Sequence, residues 1–148
     1  MSSIQVPTRT PRIGDVYMAY LEGTGSVQSG RRPVVVFQNN MGNVYSPNLV
    51  VLPLTSRLKK LSMPTHVLIR AEDSGLKVDS MVLCENPQSI PKSMIGQYLT
   101  TLPDSYMKQI ATGSIVASSA ISFMDIDSIM NAWKKAVQLN AVCEEVPA

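Results

Sequence analysis

The chain has 148 residues, of which 45% are hydrophobic and 16% charged, and its net charge is +2 at pH 7. That length fits one compact domain with a real core and is too short for two domains of usual size, while the composition excludes a disordered chain. No apolar run approaches the ~20 residues that span a bilayer, and the charge is too small to attract polyanions over the whole surface, so any nucleic-acid contact needs a local basic patch.

The two ends of the sequence differ from its middle. Residues 1–12 are polar, contain two prolines and lack the apolar stretch of a secretory signal. We expect a flexible N-terminal arm over residues 1–12, a globular domain over 13–124 and a helical extension over 125–148. Because nothing in the sequence directs export, we expect a cytoplasmic protein.

Five short segments rich in β-branched, aromatic and other apolar residues are predicted to be strands. They cover residues 15–21, 33–38, 48–55, 65–71 and 80–85. The glycine-rich stretch between the first two is predicted to be a loop. Pro53, in the third segment, cannot donate a ladder hydrogen bond, so we expect an edge strand or a bulge there.

Two helices are predicted after the strands. Pro103, Asp104 and Ser105 supply helix-start chemistry for a segment that reaches about Ile121, although Gly113 weakens it. A second helix over residues 125–141 has one apolar face, formed by Ile126, Ile129, Met130, Trp133, Val137 and Ala141. Short strands followed by helices, without βαβ alternation, indicate a mostly antiparallel barrel with appended helices.

The residues that commonly bind metals or act as nucleophiles are sparse. Cys84 lies in an apolar segment and is predicted to be a buried thiol rather than half of a disulfide with Cys143. His66 is the only histidine, so a clustered zinc site is not available, and we predict no metal ion and no cofactor. A lone histidine without a recognised nucleophile is more often structural than catalytic.

Basic residues stand at the ends of two consecutive predicted strands. Arg31 and Arg32 precede the second strand, and Arg57, Lys59 and Lys60 follow the third. If these strands are neighbours, one end of the barrel carries a basic rim, to which short hydroxyl donors are added by Ser26, Ser29, Thr55 and Ser56. The alternative is that these charges are ordinary solvated surface residues, and composition alone favours that alternative.

Five segments in the same order and at matching separations resemble the MazF/PemK toxin family. They are RIGDVYMAYL, GSVQSGRRPVVVFQN, MGNVYSPNLVVLPLTSRLKK, MPTHV and GLKVDSMVLCE. The resemblance as a whole extends over residues 12 to about 121. A single one of these segments would be weak support, but five collinear segments are hard to obtain by chance.

The resemblance implies an α+β, mostly β fold, an SH3-like small antiparallel barrel with appended C-terminal helices. It implies a homodimer that cuts single-stranded RNA at short motifs and is regulated by an antitoxin protein. Arg32 matches the arginine before the family's proline and Thr55 matches the threonine that ends its third strand, so these two are expected to be catalytic. Expected RNA-binding residues are Ser26, Gln28, Ser29, Gly30, Ser56, Arg57, Lys59, Lys60 and Gln88.

The implied reaction needs no metal ion, because the ribose 2′-hydroxyl of the substrate attacks the adjacent phosphorus and leaves a 2′,3′-cyclic phosphate and a 5′-hydroxyl. The chain departs from the usual family pattern in three places. The loop before the second strand is one residue shorter, Val27 stands where many members have glutamate, and Gln88 replaces a frequent arginine. These changes are expected to affect sequence preference and RNA affinity more than the reaction.

The alternative function is that of a non-catalytic relative on the same fold, either a decayed toxin or a CcdB-like gyrase-binding protein. The presence of both Arg32 and Thr55 favours the ribonuclease, because a gyrase-binding protein has no need of a phosphate-binding pair. A purely structural role for the basic rim is the remaining possibility.

Overall fold

The structure is a computed structural model that describes residues 9–22, 30–58 and 63–144, with only the backbone described from residue 140 on. Its seven strands are β1 Asp15–Leu21, β2 Gly30–Val36, β3 Asn48–Thr55, β4 His66–Ile69, β5 Ser80–Leu83, β6 Gln88–Pro91 and β7 Ile95–Thr101. Its helices are α1 Asn40–Tyr45, α2 Ala71–Ser74, α3 Asp104–Ser118 and α4 Ile126–Glu144, with short 3-10 turns at Lys92–Met94 and Ala120–Phe123.

Most of the predicted elements are confirmed. The first and third strands have the predicted bounds, and both predicted helices are present. The second strand begins three residues earlier than predicted, because β1 pairs with it as far as Leu21 opposite Gly30. The predicted fourth strand is too long at its end, since Ala71 begins α2, where its backbone N–H donates to Asp79 Oδ1 at 2.8 Å.

The strands are antiparallel and run in the order β4-β5-β3-β2-β1-β7, with β6 pairing the free part of β3. Five of them, β6-β3-β2-β1-β7, form one sheet whose two edges are joined only by Lys92–Met94. In a flat sheet four spacings of ~4.8 Å would separate those edges by about 19 Å, more than the ~14 Å that this connection can reach. The sheet must therefore curl into a barrel-like shape, and the α+β, mostly β class is confirmed.

Two hydrophobic clusters lie on opposite faces of the curled sheet. Because side chains alternate along a strand, Val34 and Val36 of β2 enter one cluster and Val35 enters the other. The inner cluster lies inside the curl with Tyr17, Leu21, Leu49, Val51, Ile90 and Ile95. The outer cluster packs against α3, which contributes Tyr106 and Ile110.

The expectation of an edge strand at Pro53 is wrong, because β3 pairs with β2 on one side and with β5 and β6 on the other. The hydrogen bond from Phe37 N to Val50 O fixes the alternation of this ladder, so the nitrogen of Pro53 points away from β2. On that other side, β6 ends opposite Val51 and β5 begins opposite Leu54. Pro53 therefore lies where the neighbouring strand changes, and its missing N–H interrupts no ladder.

Helix α4 lies outside both clusters and packs near α1. Trp133 borders a cavity of about 330 Å³ beside Phe37 and Asn40, while the side chain as a whole is 56% exposed. The predicted apolar face of α4 is thus mostly exposed in this chain. In the described part of the chain, no helix combines the length and apolar character that crossing a membrane requires.

Candidate active site

The pairing of β2 with β3 brings the two residues predicted to be catalytic to neighbouring strand positions. Val34 lies opposite Pro53 and Val36 opposite Val51. The same register, carried two residues further, places Arg32 across from Thr55. This proximity depends on the pairing of two strands that are separated by 11 residues of chain, α1 included.

The alternation of side chains along β2 and β3 places both residues on the face of the sheet that carries the inner cluster. Arg32 follows the side of Val34 and Val36, and Thr55 follows the side of Val51. Arg32 is half-buried and Thr55 is only 6% exposed. The two positions therefore continue the barrel interior toward one open end, where a guanidinium and a hydroxyl stand over an apolar floor.

Thr55 is held in place by its own backbone neighbourhood. Its Oγ1 accepts the backbone N–H of Arg57 at 3.1 Å, a local turn that ends β3 and leaves Ser56 and Arg57 exposed. A hydroxyl that accepts one bond still has its O–H to donate. The turn thus fixes the Thr55 oxygen while presenting two of the predicted RNA-binding residues at the surface.

Gly30 and Gln88, also predicted to bind RNA, belong to strands that reach the same end. Gly30 begins β2 opposite Leu21 with a φ of +83°, a conformation that favours glycine because other side chains clash there. Gln88 begins β6 opposite Val51 and is half-buried. The other predicted RNA-binding residues, Ser26, Gln28, Ser29, Lys59 and Lys60, lie outside the described residues.

The described part of this end is mainly cationic. Arg31 and Arg57 are exposed beside the half-buried Arg32, and Glu22 is the acidic residue that follows β1. Exposed guanidiniums attract phosphate weakly and in a salt-dependent way, whereas a half-buried one interacts more strongly because less water screens it. The arrangement suits a phosphate bound at Arg32 and Thr55 with a longer anionic chain on the rim.

His66 and Cys84 do not join this site. The His66 Nε2 lies 2.8 Å from Glu85 Oε1, and the side chain is 10% exposed at the start of β4, which β3 and β5 separate from β2. Burial raises the pKa of the Cys84 thiol to about 11, which disfavours the nucleophilic thiolate. Among the described residues, no three His, Cys, Asp or Glu side chains form a group that could hold a metal ion.

One residue near this end was not singled out from the sequence. Tyr20 lies opposite Arg31 on the outer face of the β1–β2 pair and is 61% exposed. The alternation in DVYMAYL already places Tyr20 on the face opposite Leu21. What the sequence does not show is that this face is uncovered at Tyr20, although the same face at Val16 is buried under α3.

Comparisons with known proteins identify the family. A family model described as "PemK-like, MazF-like toxin of type II toxin-antitoxin system" matches residues 12–114. A protein named Endoribonuclease MazF from Staphylococcus saprophyticus is 43% identical over 100 residues, which are 67% of this chain and 83% of that protein.

Solved structures show the same fold. MazF from Deinococcus radiodurans has a TM-score of 0.65 at 24% identity and covers 75% of this chain and 98% of its own. The Mycobacterium tuberculosis toxin MazF-mt6 has a TM-score of 0.61 at 26% identity, over 71% of this chain and 96% of its own. The family match ends at residue 114, within α3, so α4 lies beyond it.

Proposed function

The chain belongs to the PemK-like, MazF-like toxins of type II toxin–antitoxin systems and is an endoribonuclease, and we propose that it cuts single-stranded RNA at short motifs without a metal ion. The observation that carries the proposal is the β2–β3 register, in which Val34 lies opposite Pro53; extended by two residues, it places Arg32 across from Thr55. A guanidinium and a hydroxyl at neighbouring positions can together hold the oxygens of one phosphate.

In the proposed reaction the nucleophile belongs to the substrate. The ribose 2′-oxygen forms a bond to the adjacent phosphorus, the bond from phosphorus to the 5′-oxygen breaks, and the products are a 2′,3′-cyclic phosphate and a 5′-hydroxyl. The 2′-hydroxyl loses its proton, and the leaving 5′-oxygen gains one. The enzyme must mainly align the attack and stabilise the negative charge on the phosphoryl oxygens.

Arg32 is proposed to provide that charge stabilisation. Its planar fork matches two oxygens of a phosphoryl group, and a guanidinium keeps its charge in proteins, so we assign it electrostatic stabilisation rather than proton donation. Because Arg32 is half-buried over the inner cluster, its interaction with the developing charge is less screened than that of an exposed arginine.

Thr55 is proposed to donate a further hydrogen bond to the same phosphoryl group. Its buried position and the bond from Arg57 N fix the hydroxyl before substrate binds, which lowers the cost of ordering it in the transition state. Thr55→Val replaces the hydroxyl by a methyl group of similar volume and should lower kcat, to a lesser degree than Arg32→Ala.

The rim is proposed to bind the RNA chain in ground and transition states alike. Ser56, Arg57 and Gln88 belong to this group, together with Ser26, Gln28, Ser29, Gly30, Lys59 and Lys60. Contacts to phosphates from exposed cations give affinity that falls with salt and carry little sequence information. The nucleotide preference must therefore come from contacts to bases.

The proposed partners follow from the family. We propose that the protein works in the cytoplasm as a homodimer and that an antitoxin protein inhibits it. Exposed apolar side chains such as Phe123, 88% exposed, and Ile121, 67% exposed, provide surface for protein contacts. Light scattering at micromolar concentration tests the dimer, and a stable monomer would contradict it.

The function is tested with a long single-stranded RNA in EDTA. Cleavage should occur at a restricted set of sites and leave 5′-hydroxyl ends, and a 2′-deoxy residue at a cut site should abolish cleavage there. A requirement for magnesium, or products with a 3′-hydroxyl, would contradict the mechanism. Binding of RNA or of gyrase without any cleavage would favour the non-catalytic relative instead.

A further inference from the structure

A groove lies on the outer face of β1, between the end of that strand and the start of β7. Its volume is about 450 Å³, and its mostly apolar lining includes Met18 on the outer face of β1 and, across the gap, Met94 and Ile95, whose side chains pack with the inner cluster. Its rim carries Tyr20, Glu22 and Arg31. A cavity of this size with a mostly apolar lining and a few polar groups at its mouth has the character of a small-ligand site.

The groove exists because two elements stop short of it. Helix α3 covers Val16, which lies on the same face of β1 four residues before Tyr20. The helix does not reach Tyr20, which is 61% exposed. The pairing of β1 with β7 ends at Ala19 opposite Ile95, so Tyr20 and Leu21 pair with β2 on one side and have no strand on the β7 side. Tyr20 is therefore an exposed aromatic side chain beside a mostly apolar groove.

The groove is adjacent to the candidate active site. Arg31 lies directly opposite Tyr20 in the β1–β2 register, and it precedes Arg32 in the same strand. Consecutive Cα atoms are ~3.8 Å apart and consecutive side chains point to opposite faces. The groove therefore lies on the opposite face of the β1–β2 pair from Arg32, with Arg31 one residue away from Arg32 along β2.

We propose that this groove binds an unpaired base of the RNA next to the scissile phosphate and so contributes to the choice of cleavage site. The inference rests on the proposed function. The base stacks on the Tyr20 ring beside the apolar lining, and Arg31 contacts the phosphate that follows it. Base–aromatic stacking is the usual way in which proteins hold single-stranded nucleic acid.

Glu22 gives the groove a preference among bases. A carboxylate accepts hydrogen bonds and donates none at neutral pH, so it favours base edges with N–H groups. Guanine presents two adjacent donors on its Watson–Crick edge and is therefore the best match. Uracil presents one N–H between two carbonyl oxygens, which the carboxylate would repel.

The test uses the whole protein and a short RNA with 2′-O-methyl riboses, which cannot be cleaved. Affinity is measured while an abasic residue is moved along the RNA one position at a time. In the parent protein one position near the scissile phosphate should lose roughly tenfold in affinity when its base is removed. In Tyr20→Ala that penalty should disappear, whereas Tyr20→Phe should retain it because the ring remains.

Tyr45→Ala is the matched control. Tyr45 is 60% exposed, as Tyr20 is, but lies on α1 at the other end of the barrel. It should show the same abasic penalty as the parent.

At the identified position, the parent should prefer guanine to uracil by roughly tenfold, and Glu22→Gln should reduce this preference to about threefold or less.

The groove assignment and the proposed function fail in different ways. RNA cleavage in EDTA with no position whose penalty depends on Tyr20 would overturn the groove assignment alone. Tyr20-dependent binding of the blocked RNA, without cleavage of unmodified RNA, would contradict the ribonuclease mechanism alone. If Tyr20→Ala weakened antitoxin binding and left every RNA affinity unchanged, the groove would be a protein-docking surface and the inference wrong.

Discussion

Asp15 is a buried carboxylate whose removal should destabilise the fold without damaging the candidate active site. It is fully buried at the start of β1. It accepts hydrogen bonds from Arg9 Nε and Nη2, both at 3.1 Å, from the Arg12 backbone N–H at 3.0 Å, from the Tyr17 hydroxyl at 3.3 Å and from the Thr101 hydroxyl at 2.8 Å. These bonds join the segment before β1 to the pair β1–β7.

The size of the effect follows from which partners are buried. A hydrogen bond to a charged group contributes about 1.5–3 kcal/mol, but the Arg9 side chain is 44% exposed, so its part is screened to about 1 kcal/mol or less. Asp15→Asn removes the negative charge, and the two N–H groups of the new amide would face groups that also donate hydrogen bonds. We expect the free energy of unfolding to fall by about 3–5 kcal/mol, which lowers Tm by roughly 10 °C in a chain of this length.

Urea unfolding of the parent, Asp15→Asn and Arg9→Gln measures this difference. Arg9→Gln should cost about 1 kcal/mol, because it loses the exposed pair and the stacking of its guanidinium 4.5 Å from the Tyr98 ring centroid. Asp15 and Arg32 lie at opposite ends of the β1–β2 pair, so RNA cleavage per folded molecule at low temperature should be unchanged. If Asp15→Asn cost no more than Arg9→Gln, the buried carboxylate would not be the main source of this stability.

Two further predictions concern the packing and the pH dependence of the fold. Gly113→Ala should destabilise the protein by about 1–3 kcal/mol, although alanine favours helices, because the added Cβ would lie 2.9 Å from Cys84 Sγ. Adding Cys84→Ala to this variant should recover part of the lost stability. A Gly113→Ala protein that is more stable than the parent in urea would contradict the prediction. Burial and the neighbouring Asp15 raise the pKa of Tyr17 to about 12, so the folded state holds the phenol proton more tightly than the unfolded state does. The protonated Tyr17 therefore contributes fully to stability below pH 10, and this contribution is lost as the pH rises toward 12. The free energy of unfolding should fall over this range by roughly 2–3 kcal/mol more in the parent than in Tyr17→Phe, and equal falls in the two proteins would refute the assignment.

The strands that could be predicted from the sequence are those whose own side chains show the pattern of burial. β1 and β3 are mostly buried and apolar, and their bounds follow from composition. β6 ends in a proline and β7 contains a glycine and three polar residues, so neither reads as a strand alone; they become strands by pairing with β3 and β1. α1 is not among the helices predicted from the sequence, because only the structure shows the Asn39 side chain accepting the Gly42 N–H at 2.9 Å.

The site could be predicted only through the family resemblance. Composition alone leaves Arg32 among several basic residues, and nothing local connects it to Thr55. Their proximity is a consequence of the β2–β3 register, which is set by buried residues such as Val34 and Val36 rather than by the site residues. The role of Gly113 could not be predicted from the sequence either. Its lack of a side chain weakens α3 as an isolated helix, but it lets α3 pack closely against Cys84.

The central claim is that Arg32 stabilises the transition state of RNA cleavage while the exposed rim only binds RNA. Steady-state cleavage of one RNA in EDTA by the parent, Arg32→Ala and Lys108→Ala tests it most directly, with Lys108, an exposed cation of α3 outside the site, as the control. Arg32→Ala should lower kcat by ~10²-fold or more with a modest change in RNA affinity, and Lys108→Ala should match the parent. An Arg32→Ala protein that kept the parent kcat and lost only affinity would contradict the claim.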